Sequence, residues 1–144
     1  MHERTYQALL DRAREAVRSG RAVLLDATYL KRFTRDQVRA MAADEGAPFA
    51  ILDITCDPEV VRRRLVERLE RDDDASDADQ AIYDEMMATA EPLEDDELPV
   101  TAGYESGGPA EDAVLPLLAV LEGQLDAGRE TLGRERRRPA QENA

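Results

Sequence analysis

Ala22–Val23–Leu24–Leu25–Asp26–Ala27–Thr28 is the stretch around which the rest of this chain arranges itself. Four apolar residues closing on an aspartate are the pattern of a strand covered on both faces, as in a parallel sheet. In an open α/β sheet, ligands sit beyond the carboxyl ends of the strands, where Asp26 falls. A carboxylate there can hold magnesium through water or accept the proton of an attacking hydroxyl. An aspartate that only caps the following turn gives the same pattern, and both readings stay open at this point.

Working outward, helices and short apolar runs alternate. Residues 3–19 carry Tyr6, Leu9, Leu10, Ala13 and Val17 at three- and four-residue spacing, and Gly20 closes that amphipathic helix. Thr34–Arg35–Asp36–Gln37 reads as a capping box opening a helix over 35–45 that stops at Gly46. Pro48 to Thr55 is a second strand. Asp57–Pro58 supplies an N-cap and a proline at the first helical position, so a helix runs over 58–71. Ser76 and Asp79 open another, ending near Ala90 before Pro92. Leu98 to Ala102 is a weak third strand, 103–109 a flexible loop, and 110–127 a last helix interrupted by Pro116. The remainder, 128–144, is polar and arginine-rich and is expected to be a disordered tail. The alternation predicts one α/β domain over 1–127 built on a parallel sheet.

Composition narrows the function. Formal net charge is −13 over 144 residues, so the surface repels nucleic acid and acidic membranes. Aromatic residues make up only 4% and tryptophan is missing, leaving little for base stacking. Cys56 is the only cysteine, which excludes an internal disulfide and suits a reducing compartment. His2 is the only histidine and stands at the terminus, away from any motif. The N-terminus carries no apolar signal region and no run has membrane-spanning length, so the chain reads as cytoplasmic.

Three groups of residues are candidates for chemistry. Asp26 is the first. Thr28, Lys31, Arg32 and Arg35 follow within nine residues and would suit an anionic or hydroxylated acceptor, although solvated charges at a helix start are common. Cations there oppose the helix macrodipole, which favours a functional reason. The third group is the file Arg64, Arg68 and Arg71 on the helix over 58–71. Arg64 and Arg68 lie one turn apart on one face, where guanidinium forks can hold phosphate oxygens. Glu59, Glu67 and Glu70 offer helical partners, so an ordinary salt-bridged surface helix fits equally. The run Asp72 to Asp79 lacks the glycine and glutamate of a calcium loop and reads as a solvated acidic tip.

With these residues in hand, the chain resembles the P-loop kinases of the AAA-domain and zeta-toxin-like group, modules often fused to aminoglycoside-phosphotransferase-like domains. The carriers are Leu24 to Arg32 with Arg35, Gly46 to Phe49, Cys56 to Val60, Arg62 to Leu65 with Arg68, Asp73 to Asp79, and Ala88 to Leu93. The resemblance runs from about Arg4 to Val120. It implies a three-layer P-loop kinase-like sheet, with Asp26 as the Walker B-like aspartate serving catalysis and magnesium. It implies that Thr28, Arg32 and Arg35 bind the acceptor, that Arg64, Arg68 and Arg71 bind nucleotide, and that 102–109 lies near adenine. There Ala102–Gly103 departs from the family's usual Asp-Thr/Ser stretch.

The larger departure is the phosphate loop. G-x-x-x-x-G-K-[S/T] does not occur in the 144 residues, and Lys31, the only lysine, has no glycine in reach. In the family, the strand leading into that loop lies between those at 22–26 and 48–55. The fold is therefore expected to be incomplete, lacking its first strand and P-loop. Two functions follow. One is the C-terminal portion of an ATP- and Mg2+-dependent kinase acting on a small hydroxylated molecule, inactive alone, its P-loop preceding these residues or borne by a partner chain. The other is a non-catalytic remnant that dimerises or binds a partner through exposed strand edges. A polynucleotide kinase is disfavoured by the acidity.

Overall fold

A computed structural model describes residues 3–71 and 80–136, and the side chains within 4–67 and 81–129. Helix α1, Glu3–Arg18, forms on the expected spacing and turns Leu10 and Ala13 inward. Its end is a Schellman closure. Gly20 takes φ +76°, its N–H donates to the Val17 carbonyl, and the Arg21 N–H reaches the Ala16 carbonyl. Helix α2, Arg32–Asp44, ends the same way at Gly46, with φ +63°. Here the Gly46 and Ala47 amides donate to the carbonyls of Ala43 and Ala42. Both glycines occupy backbone that a side chain would strain. Met41 and Val38 of α2 pack against Leu10 and Ala13, and Arg14 and Arg18 of α1 pair with Glu45.

Helix α2 begins three residues before the expected start. Lys31 is its N-cap, in extended backbone without a side-chain cap bond. Thr34 lies inside the first turn and its hydroxyl donates back to the Lys31 carbonyl at 2.7 Å, so the Thr34–Gln37 pattern is not a capping box. The leading amide is met from far along the chain: the Arg32 N–H donates to Glu91 Oε2 at 2.7 Å.

Strand β1, Ile51–Thr55, pairs in parallel with β2, Thr101–Glu105, Ile51 opposite Thr101 and Thr55 opposite Glu105. Among the described residues these two make the whole sheet. Between them come α3, Pro58–Arg71, and α4, Gln80–Ala88. Asp57 caps α3 as expected, accepting the Glu59 N–H at 2.7 Å. The acidic run and the Ser76–Asp79 pattern lie outside the described residues. Leu98–Val100 forms a 3-10 turn instead of a strand, because Pro99 has no N–H for a ladder. The strand starts after it and absorbs Gly103 to Glu105, expected to be loop.

The stretch 22–26 departs most from expectation. Its backbone belongs to no ladder among the described residues. Leu25 packs on the Leu10–Ala13–Met41 core, whereas Leu24 is 80% exposed. One face is therefore covered, not two, and no described strand offers hydrogen bonds to the other edge. Helix α5, Ala110–Arg136, lies across β2 and touches β1. Pro116 sits within it at the cost of one backbone bond. The helix continues past residue 127, through positions expected to be disordered, because Leu132, Arg134, Glu135 and Arg136 are good helix formers. The described architecture is mixed α/β with a small parallel two-stranded sheet, compatible with a P-loop-like fold.

Candidate functional site

Two places gather arginine, and they differ in what holds it. The first is the start of α2. Arg35 is only 6% exposed and Glu97, facing it, 1%. Arg35 Nε donates to Glu97 Oε1 at 2.7 Å and Nη2 to Oε2 at 2.9 Å. Its remaining donors go to the carbonyls of Tyr29, Glu91 and Pro92 at 3.1 to 3.2 Å. Glu97 also accepts the Glu94 N–H at 3.0 Å. The Arg35 fork, followed by this amide, holds the Glu97 carboxyl down at about 2, against the raising effect of burial.

The surrounding cations are committed in the same way. Arg32 makes a two-pronged pair with Asp96 at 2.7 and 2.8 Å and reaches Asp36 at 2.8 Å. Arg39 donates to the Asp96 carboxylate and carbonyl, both at 2.6 Å. These hydrogen bonds from Arg32 and Arg39 hold the Asp96 carboxyl far below the usual carboxylate range. Lys31 reaches the Thr89 carbonyl and, at 3.3 Å, Glu91. The segment 89–97 is thus laid along α2 by ion pairs. Of the residues expected to bind the acceptor, Arg32 and Arg35 have their donors occupied by the chain's own oxygens. The Thr28 and Tyr6 hydroxyls share a hydrogen bond of 3.2 Å, tying Thr28 to α1.

Tyr29 sits between Thr28 and α2 with φ +43°, left-handed backbone that a bulky side chain seldom adopts. Its carbonyl is held by Arg35, and its ring meets Tyr6 edge-on at 5.3 Å between centroids. The Tyr29 hydroxyl is buried without a hydrogen-bond partner, and burial raises its pKa, helped by Tyr6. Asp26, three residues earlier, is exposed and makes no hydrogen bond or ion pair among the described residues.

The second place is the carboxyl end of the two strands. The Ser106 N–H donates to the Thr55 carbonyl at 2.7 Å, drawing both strand ends together. From α3, Arg64 Nη1 reaches Ser106 Oγ at 3.2 Å and stands 3.9 Å from Cys56 Sγ. Beside this bridge opens a hollow of about 440 Å³ lined by Gly103 to Gly108 and Asp112. The Tyr104 hydroxyl closes its loop by donating to the Gly108 carbonyl at 2.7 Å. Arg64 is exposed and, among the described residues, held by one neutral hydroxyl and a thiol rather than a carboxylate. The side chains of Arg68 and Arg71 lie outside what is described, so only Arg64 of that file can be placed.

Sequence reasoning missed the acidic half of the first cluster. Glu91, Glu94, Asp96 and Glu97 crowd one short run, and four cations at 31, 32, 35 and 39 occupy one helical face. That pair of patterns was the signal. It also missed Ser106, which nothing but its place after a strand would mark. Among the described residues, no group of three or more His, Cys, Asp or Glu side chains could hold a metal. A magnesium ion that arrives on phosphates needs only one or two protein carboxylates, and exposed Asp26 fits that more modest part. No helix among the described residues is long and apolar enough to cross a membrane.

No curated protein and no solved structure matches the chain. A family model described as an AAA domain matches residues 1–93. That match ends short of Val120, where the resemblance was expected to stop, so Ser106 and its hollow lie beyond it. It spans well over half of the chain, from α1 through the Asp26 stretch and both arginine-bearing helices, and the chain therefore belongs to the AAA-domain family, a P-loop NTPase-like and kinase-like group.

Proposed function

We propose that this chain is the C-terminal portion of an ATP-dependent kinase that phosphorylates a hydroxyl on a small molecule. The observation that carries the reading is Arg64, an arginine without a carboxylate partner among the described residues, standing where the carboxyl ends of β1 and β2 meet. Ligands of open α/β sheets bind there. A guanidinium held by a serine hydroxyl can exchange that bond for phosphate oxygens at little loss. The hollow beside it offers carboxylates at Glu105 and Asp112 for ribose hydroxyls or a base amino group. ATP with magnesium would supply the phosphoryl group. Arg64 would neutralise charge on it, with Arg68 and Arg71 extending the file. Asp26 would hold the metal and take the acceptor's proton.

In this reading Thr28 faces the acceptor, and Arg32 and Arg35 shape that side by fixing segment 89–97. The amide cradle and lysine of the P-loop come from a segment or partner chain carrying G-x-x-x-x-G-K-[S/T]. A small-molecule acceptor and a nucleotide are thus the partners, in the cytoplasm, with no role for nucleic acid or membrane.

A second reading, a non-catalytic interaction module of the same fold, draws on one observation: Val23 and Leu24 are exposed beside an unladdered backbone. An NMR titration of the chain with Mg-ATP separates the two. Weak binding with shifts at Cys56, Arg64 and Ser106 to Gly108 is expected. Shifts confined to α1 and α2, or none at millimolar ATP, would remove the kinase reading.

A further inference from the structure

Three hydroxyl side chains gather where the stretch 22–28 meets α1, and the kinase reading uses only one of them. Tyr6 of α1 and Thr28 share a hydrogen bond of 3.2 Å that is exposed to water. Hydroxyls joined in this way each keep capacity to bond a third group. The Tyr29 ring meets Tyr6 edge-on, and its own hydroxyl is buried without a partner among the described residues. Two carbonyl bonds hold the arrangement. Arg35 donates to the Tyr29 carbonyl at 3.1 Å, and the Glu91 N–H to the Leu30 carbonyl at 2.8 Å. They keep Tyr29 at φ +43°, and strained backbone clamped by its surroundings concentrates where ligands are gripped. Asp26 lies two residues before Thr28, so their Cα atoms are at most about 7 Å apart.

The charge around this spot decides what it would take. The cations that follow it are answered by carboxylates of the same chain: Lys31 by Glu91, Arg32 by Asp36, Glu94 and Asp96, Arg35 by Glu97, and Arg39 by Asp96. Five carboxylates face four cations, and exposed Asp26 adds a sixth with no partner among the described residues. An anionic group on the ligand would have to displace these pairs. Buried Arg35 cannot turn to meet it without stranding the Glu97 charge. Arg4, two residues before Tyr6, lies on another face of α1. What is left to meet a ligand at Thr28 is hydroxyl and ring. Hydroxyls donate and accept alike, which suits a ligand whose own polar groups are hydroxyls.

We propose that Tyr6 and Thr28 form a subsite for an uncharged polyol, and that this polyol is the kinase's acceptor; its being the acceptor rests on the kinase reading, whereas its binding does not. Tyr6 and Thr28 exchange hydrogen bonds with ligand hydroxyls, and the Tyr6 ring offers its carbons an apolar surface. Tyr29 is a positioning residue: its hydroxyl is buried, and its ring backs Tyr6. The subsite reverses what the cations at 31, 32 and 35 suggest by residue type alone. They serve the fold, and an anionic acceptor finds none of them free.

Amide NMR spectra of the full chain test it, with glycerol, D-glucose and myo-inositol as probes and the monophosphate of each beside it at matched pH. At millimolar concentration at least one polyol is expected to shift Tyr6, Thr28 and Tyr29, and its phosphate to shift them less. No shift there with any polyol, or larger shifts with the phosphates, overturns the proposal. Tyr6→Phe should raise the polyol Kd by about 2- to 10-fold, the share of one neutral hydrogen bond, with an unchanged urea midpoint. An unchanged Kd overturns it as well. Should Tyr6→Phe alter the midpoint, Thr28→Val, which removes the other hydroxyl at nearly constant shape, is read in the same way. The Mg-ATP titration keeps the two readings apart. Polyol shifts without ATP shifts at Arg64 and Ser106 would keep this subsite and remove the kinase reading. ATP shifts without polyol shifts would do the reverse.

Discussion

Arg35 and Arg64 stand on successive helices of one chain and are held in opposite ways. Arg35 is buried, with its Nε and both Nη atoms bonded to oxygen of the same molecule, two of the bonds to one carboxylate. Arg64 is exposed and rests on a serine hydroxyl. A guanidinium whose donors are all committed builds structure, because removing any partner strands a buried charge. One resting on a neutral group keeps most of its capacity for an incoming anion. The difference teaches that the number of arginines on a helix says little about ligand binding until their carboxylates are located.

The contrast breaks first at Glu97. Glu97→Ala would leave the Arg35 charge buried without its carboxylate and is expected to lower unfolding free energy by about 3–5 kcal/mol. Urea denaturation measures this, and a loss below about 1 kcal/mol would show that Arg35 does not depend on the pair. Arg35→Met with Glu97→Leu should recover most of the loss, since apolar residues of similar volume replace buried pairs at small cost.

Acid probes the same pair without mutation. Glu97 titrates at about 2 in the folded chain, against 4.5 as its ordinary value. A carboxyl lowered on folding contributes stability that is fully present above its unfolded pKa and is lost as pH falls toward the folded one. Stability should therefore decline from about pH 4.5 toward 2, and the decline should be shallower in Glu97→Gln. Identical pH profiles for the two proteins would detach the acid sensitivity from this carboxyl. Glu91, lowered first by the Arg32 backbone N–H and then by the Lys31 ammonium, acts in the same direction.

At the other end of the contrast, Arg64→Ala should leave stability within about 0.5 kcal/mol, as for most surface substitutions. It should abolish the Mg-ATP shifts at Ser106 to Gly108, an affinity loss of about tenfold or more from one charge-assisted contact. Unchanged shifts would take Arg64 out of nucleotide binding.

Much of this arrangement was readable from the sequence because it is local. The spacing of Leu9, Leu10 and Ala13 marked α1, Asp57–Pro58 marked the start of α3, and Gly20 and Gly46 marked helix ends. What could not be read was long-range. Glu91 caps α2 across 59 residues of chain, displacing the Thr34 pattern, and no local rule anticipates that. Leu24 and Leu25 look alike in sequence, and only the packing of α1 on α2 decides that Leu25 is covered while its neighbour is not. The strand at 22–26 failed for the same reason. A strand is a relation between two segments, and apolar composition specifies only one of them. On the candidate site, the arginines stood out by type, but the sorting into committed and available rested on Glu97 and Ser106, each more than forty residues away.

The smallest expected effect lies at the edge of the committed cluster. Asp96 takes bonds from both Arg32 and Arg39, a denser network than Arg64 makes, yet it is exposed. If hydrogen-bond number alone separated structural from available arginines, Asp96→Asn should destabilise the chain much as Glu97→Ala does. Water, however, solvates all three groups once the pair is broken, and exposed pairs contribute little for that reason. We therefore expect the urea midpoint of Asp96→Asn to coincide with that of the unaltered chain at low salt and at high salt alike. A shift approaching that of Glu97→Ala would mean that the whole run from Glu91 to Glu97 acts as one unit, and burial would no longer be what divides Arg35 from Arg64.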